Sequence, residues 1–335
     1  MTDAFQPEKA VEMYLSDREA ELAKSSLQNH RYHLKRFLEF CEATGFEDMA
    51  DMDGRTVYEF KQYRRDEGGV NQQTLSNQLS TFRVFIRFCE NLGEVEKGLA
   101  DKIELPDIDP SEAARDEMIE AERAFEVIEY LEKFEYGSKK HALFYLMWHT
   151  ALRVGSVYAI DVDDFHPEEG YIELHHRPES DTPLKNKQHG EREVNLKDYV
   201  CQVLQDYIIH NRDKVTDDHG REPLFTSPHG RLYKNQIRRL VYSITRPCYY
   251  SGECPHGEDI EDCEAASFNQ SSKCPSSVST HPIRRGSITY HLNEEVPKEV
   301  VSDRANVSPK ILEQHYNRQT ESEKRKIRKS HLDNL

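Results

Sequence analysis

Nowhere in these 335 residues does an apolar run approach the roughly eighteen residues that a membrane-spanning helix needs. The opening MTDAFQPEKAVEMY has neither the basic start nor the apolar centre of a signal peptide. The expectation is therefore a soluble, cytoplasmic protein with no membrane partner. Short C-x-x-C pairs are also absent, although the chain has seven cysteines. An odd, clustered set in a chain of this size does not make a disulfide framework, which leaves thiols or metal ligands. Base is in short supply as well: 45 Lys and Arg stand against 61 Asp and Glu, for a net charge of -16. A small module that held nucleic acid by bulk charge would have the opposite balance, because phosphate binding is driven by cations displacing condensed counterions. An acidic surface is, however, one way to stay soluble in high salt, so composition alone predicts a halophilic origin. Hydrophobic residues make up 36%, enough for a folded chain, and the length allows two domains with separate cores.

What the chain does contain is helical periodicity. Between Ser26, expected as a cap, and Gly45, expected as a stop, Leu27, Tyr32, Leu34, Phe37, Leu38 and Cys41 follow a three-to-four spacing. TVYEFKQYRRDEGG repeats the pattern, and QQTLSNQLSTFRVFIRFCENLG puts Leu75, Leu79, Phe82, Phe85, Ile86 and Cys89 along one side. With a shorter helix from Ala10 to Leu22, these predict a helical bundle over residues 1–97. Residues 98–118 carry two prolines, many charges and little periodicity, which predicts a linker. A second domain follows over residues 119–335. In it ALFYLMWHTALRVGSV reads as one buried helix, while GYIELHHR and EREVNL alternate like strands around a turn-rich basic tip. The remainder reads as helical, apart from a cysteine-, serine- and proline-rich insert at 247–279.

Four polar clusters stand out in the second domain: TALRVGSVYAIDVDDF, TPLKNKQHGEREVNL, HPIRRG and ILEQHYNR. Each is weak alone, but in this order and spacing they resemble the tyrosine recombinases, the phage-type integrase and Xer-like family, over the whole length. The resemblance implies a mainly α protein: a SAM-like, DNA-gripping helical bundle, then a mainly α catalytic domain with a small antiparallel β-sheet, the DNA breaking-rejoining fold. It also implies site-specific recombination of double-stranded DNA through a 3′-phosphotyrosyl intermediate, a homotetramer in the synaptic complex, and no cofactor for the chemistry. Arg153 matches the family's first arginine, His281 and Arg284 its H-x-x-R, and Tyr316 its nucleophile. The hairpin lysine is Lys185 or Lys187, with Lys185 preferred because it follows the strand-like end of DTPL. Two departures stand out. Asn306, in RANVS, occupies the place of a second histidine, and Ser156 lies where an acidic residue is usual.

These residue types suit the chemistry. A tyrosyl oxygen that attacks phosphorus conserves the bond energy for rejoining. Two planar, permanently charged guanidinium groups clamp the added negative charge better than lysines would. A lysine on a hairpin can protonate the departing 5′ oxygen, and His281, three residues before Arg284 and on the same helical face, can serve the phosphate or take the tyrosine's proton. Pro282 suits the first turn of a helix capped by Thr280 or His281, whose dipole favours an anion. Read alone, Arg153 would pair with Asp161 or Asp163 and Tyr316 would be a core aromatic.

Two further expectations follow. Arg31, His33, Lys35 and Arg36, with Arg64 and Arg65, form basic patches expected to hold DNA in the first domain. Cys248, Cys254, Cys263 and Cys274 are expected to bind one structural zinc, since a polar loop of this length needs a staple and four thiolates leave no open position for catalysis. The alternatives to a recombinase are a catalytically weakened DNA-binding relative, a type IB topoisomerase-like enzyme, and a zinc-dependent hydrolase built on the cysteine loop.

Overall fold

The computed structural model describes residues 4–66, 69–108, 117–315, 325 and 329, and it divides the chain into two compact units, Met1–Arg115 and Asp116–Leu335. In the first unit, capping chemistry decides most helix ends. Helix α1 (Pro7–Glu19) opens on a proline, whose missing N–H is no loss in a first turn, so it lies three residues earlier than the expected Ala10 to Leu22. Helix α2 (Lys24–Thr44) begins ahead of Ser26 with no side-chain cap, and stops at Gly45 in the left-handed region (φ 71°). Helix α3 (Gly54–Asp66) is capped by Asp53, whose Oδ1 accepts the Thr56 N–H at 2.8 Å. Helix α4 (Gln72–Leu92) is capped in the same way by Asn71 on Thr74, also at 2.8 Å.

All six apolar positions read along α4 are buried, and with Phe37, Phe40 and Phe60 they build an aromatic core in which the Phe60 and Phe82 centroids are 4.7 Å apart. Tyr32, expected on the inner face, is half exposed instead. Leu99, Ala100 and Ile103 are buried in this same core, so the bundle extends through residue 103 and the expected linker does not begin at 98. Residues 109–116 lie outside the described residues. No described helix is long and apolar enough to cross a membrane.

In the second unit, α5 (Ala121–Phe134) packs against α6 (Lys139–Thr150), which is buried nearly all round. The single helix expected across ALFYLMWHTALRVGSV is broken. Ala151 adopts φ 54°, Arg153 is extended, and α7 (Val154–Ala159) begins afresh. The carbonyls at the end of α6 find partners elsewhere in the fold: Ser287 Oγ donates to Trp148 O and Arg284 Nη1 donates to Ala151 O.

An antiparallel sheet follows, in the order β1 (Phe165–His166), β2 (Tyr171–Leu174), β3 (Arg192–Asn195). Ile172 pairs with Val194 and Leu174 with Arg192, so Arg192 shares the inward face with buried Val194. Helix α8 (Asp198–Asp206) runs into a π turn (Tyr207–Asn211) and is followed by a short hairpin of β4 (Thr226–Ser227) and β5 (Gly230–Arg231). Helices α9 (Lys234–Ile244), α10 (Pro247–Tyr250), α11 (Thr280–Asn293), α12 (Lys298–Ala305) and α13 (Pro309–His315) complete the described part. The segment before α5 crosses α11 so closely that a Cβ on Gly286 would lie 2.1 Å from the Ile119 carbonyl oxygen. Only glycine fits there.

The cysteine-rich insert is more ordered than its composition implies. Buried Arg246 donates to Ala265 O at 2.7 Å, Ser277 Oγ to Ser271 O at 2.8 Å, and Arg123 to the carbonyls of Thr245 and Ser276. The premise that only a metal could order this segment therefore fails. The four thiols are unbridged and partly exposed, and Cys248 is raised first by burial, with smaller contributions from Cys274, Cys254 and Cys263. Among the described residues, no group of three or more Cys, His, Asp or Glu side chains is placed to hold a metal ion.

Candidate active site

The break after α6 is what carries Arg153 into a cleft. An arginine within a continuous helix would lie along its flank. Here Arg153 is the extended cap of α7, its carbonyl accepting the N–H groups of Ser156 and Val157, and its side chain lines an open cleft of about 680 Å³. Lys185, Asn186, His189, Arg192, His281 and Asn306 line the same cleft. Lys187 is not among its lining residues. Of the two partners Arg153 would take if read alone, Asp161 or Asp163, Asp161 is bonded by Arg177, Arg221 and Arg231.

Helix α11 brings in the H-x-x-R pair. Its cap is Ser279, so Thr280, His281 and Pro282 form the first turn and neither expected cap serves as one. His281 is open to the cleft, whereas Arg284, one turn on, is 2% exposed beneath it. Arg284 donates to Ala151 O at 2.5 Å and to Ala305 O at 2.8 Å, and so ties the α6–α7 break to the end of α12.

The local field is strongly positive. His281 is pushed down to about 4, first by desolvation and then by Arg284, Arg285, Arg153 and Lys185, so it is neutral at pH 7. Arg192 falls to about 10, through burial and then the charges of Arg284 and Arg153, against a smaller opposing pull from Asp303. An acidic chain has thus concentrated cations at one place, although Glu191 and Asp303 also reach the cleft wall.

Arg192 was missed by motif reading. Its signal was present, since a charged residue occupies the inward phase of an alternating strand, in register with Val194. It donates to Gly190 O at 2.8 Å and to Arg304 O at 3.1 and 3.0 Å, joining the sheet to α12. Ser156, in the place of the usual acid, is buried in α7. Tyr316 lies outside the described residues, just past α13, whose first turn is capped by Ser308 Oγ accepting from the Ile311 N–H at 3.4 Å.

The basic patches of the first unit divide sharply. Arg31 and Lys35 are exposed beside a groove between α1 and α2. Arg36 is held by both oxygens of Glu39 at 2.7 Å and lies over the Tyr32 ring. His33 turns inward to Thr81 at 2.8 Å. Arg64 is buried and donates to Gln78 Oε1 at 2.9 Å, so its expected role on DNA is replaced by one in the core. Arg65 is exposed and faces Asp66 at 3.4 Å.

Comparison with known proteins covers both units. Residues 12–91 match the phage integrase N-terminal SAM-like domain, and residues 117–323 match the phage integrase family. The chain is 24% identical over 219 residues to the tyrosine recombinase XerD of Oceanobacillus iheyensis, covering 64% of this chain and 68% of that one. To the XerD of Staphylococcus haemolyticus it is 22% identical over 238 residues, covering 70% and 76%. Among solved structures, the Tn1549 transposon integrase in complex with a circular intermediate DNA superposes with a TM-score of 0.69 at 12% identity, over 97% of this chain and 99% of that one. A lambda integrase tetramer bound to a Holliday junction gives 0.62 at 11% identity, over 96% and 80%. Family matches over 80 residues of the bundle and most of the second unit, together with a cleft built where the motifs predicted one, mean that this chain belongs to the phage integrase family.

Proposed function

We propose that the cleft binds a phosphate of duplex DNA and that the protein is a site-specific recombinase acting through a 3′-phosphotyrosyl intermediate. The observation that carries this reading is the convergence of Arg153, Lys185, Arg192 and His281 on one cleft above buried Arg284. Such a field is matched to the extra charge of a pentacoordinate phosphate. In this reading the Tyr316 oxygen bonds to phosphorus as the P–O5′ bond breaks. Neutral His281 accepts the tyrosine's proton, and Lys185 gives one to the departing 5′ oxygen. A phenol with a pKa of about 10 is a poor nucleophile at pH 7 without such help. The solved relatives on DNA, one of them a tetramer, support duplex DNA as substrate and a tetrameric synapse.

Tyr316→Phe tests the reading directly. It is expected to fold and bind DNA but to form no denaturant-resistant protein–DNA adduct, while wild-type protein accumulates one on nicked duplex. An adduct that persists in the phenylalanine variant would move the nucleophile to another tyrosine. For the bundle, the double reversal Arg31→Glu with Lys35→Glu is expected to weaken DNA binding at fixed salt and to flatten its salt dependence by about two counterions. Reversal of Arg36, already neutralised by Glu39, is expected to do less. Equal affinities across these variants would remove this face from the interface. A structural zinc on the four insert cysteines rests on their number and clustering alone, and metal analysis showing only a trace in protein prepared without chelator would end it.

A further inference from the structure

Asn306 terminates α12 in the left-handed region, at φ 48° and ψ 61°, a conformation that asparagine tolerates better than most side chains. Both ends of its amide are in use. Its Oδ1 accepts from Asn186 Nδ2 at 2.6 Å, and its Nδ2 donates to the His189 carbonyl at 2.9 Å. Both partners belong to the β2–β3 connection, and Asn186 directly follows Lys185. On the other side, the carbonyl of Ala305 receives Arg284, and two residues after Asn306 comes Ser308, the cap of the helix that leads toward Tyr316.

We propose that Asn306 is a positioning residue that fixes the Lys185 loop over the cleft and acts on catalysis through that lysine. The inference rests on the reading of Tyr316 as nucleophile and Lys185 as proton donor. Its physical basis is entropic. Lys185 sits in a connection of seventeen residues between β2 and β3 that is anchored up to buried Leu184, whose N–H donates to His176 Nδ1 at 3.0 Å. Residues 185–189 are exposed, and a lysine on an exposed stretch samples many positions. A proton donor contributes only while it is within hydrogen-bond reach of the departing oxygen. Asn306 restrains that exposed stretch with one donor and one acceptor from a single side chain, bonded to Asn186 and to the His189 carbonyl. An aspartate in its place would lose the bond to His189 O, and a glycine would keep the left-handed backbone while losing both bonds.

The test uses the full-length protein and a synthetic duplex carrying the sequence it protects from nuclease, nicked beside the cleaved phosphate. Single-turnover cleavage is measured on the natural phosphodiester and on a duplex with sulfur replacing the departing 5′ oxygen. A thiolate leaves without a proton, so it does not need Lys185. Asn306→Gly is expected to slow the natural substrate by about 10- to 100-fold, less than the roughly 10²- to 10⁴-fold that loss of the general acid itself costs because Lys185 remains, and to leave the sulfur substrate within about threefold of wild type. Asn186→Ala, a change in the exposed loop with little bearing on folding, is expected to show the same selective pattern to a smaller degree. Equal slowing on both substrates would overturn the proposal, because it would place Asn306 on the phosphate or the nucleophile. Unchanged cleavage of both would overturn it as well. Wild-type protein inert on both substrates would instead sink the assignment of the site itself, and this inference with it.

Discussion

Arg284→Ala is expected to lower DNA cleavage by about 10³-fold or more, the scale on which an arginine that stabilises phosphoryl-transfer charge acts. Two losses combine. The positive field beneath the cleft weakens, and the carbonyls of Ala151 and Ala305 lose their donor. The first carbonyl belongs to the break that places Arg153, and the second immediately precedes Asn306, so both walls of the cleft lose a common anchor. A guanidinium has five donors, which makes carbonyl bonding compatible with phosphate bonding. Arg284→Lys keeps the charge but cannot span two carbonyls that lie in different segments, so it is expected to recover only part of the rate. His281 gives an independent readout. With Arg284 removed, one of the charges that hold it down is gone, and its pKa should rise from about 4 toward the ordinary value. A proton-resolved titration of His281 in Arg284→Ala that matched wild type would show that the field originates elsewhere, and cleavage within tenfold of wild type would refute the catalytic role.

Asp161→Ala is expected to produce a large loss of stability in the second unit, although Asp161 does not itself line the cleft. Asp161 is 6% exposed and receives Arg177 at 3.3 Å, Arg231 at 2.5 Å and Arg221 at 2.6 Å. Asp164 still serves Arg177, and Asp217 still serves Arg231, when Asp161 is removed. Arg221 keeps only neutral partners, Ser180, Thr182 and the Ala159 carbonyl. Stranding one partner of a buried pair costs about 3–5 kcal/mol. The two surviving carboxylates place this case at the low end, about 3 kcal/mol. For a unit of this size that corresponds to a fall of about 6–12 °C in the unfolding temperature. Calorimetry reads it, and a shift under about 2 °C would mean that the network contributes little net stability, as isolated surface pairs do.

The helices of the bundle were legible because their information is local. The apolar spacing of α4 and the glycine that stops it are written within a couple of dozen residues, and the structure follows them. The order of the four polar clusters was equally legible, as was the sheet, since strand alternation is local too. Local pattern failed where a polar residue's surroundings come from distant chain. Arg64 and Arg65 are neighbours in sequence with the same charge, yet Gln78 draws the first into the core and leaves the second in water. His33, read as part of an exposed basic patch, turns inward to Thr81 across 48 residues of sequence.

The sequence by itself determined that this is a two-unit helical member of the phage integrase family, because periodicity, capping and motif order are one-dimensional properties. Only the tertiary structure decided which charges work together. The break at Ala151 is held by Arg284 across 133 residues of sequence, the Lys185 loop is tied to Asn306 across 120, and Arg192 reaches Arg304 across 112. Hydrogen bonds of that span leave no local signature. They form when the second unit's core brings α6, α11, α12 and the sheet together, and their directionality then fixes which side chains face the cleft.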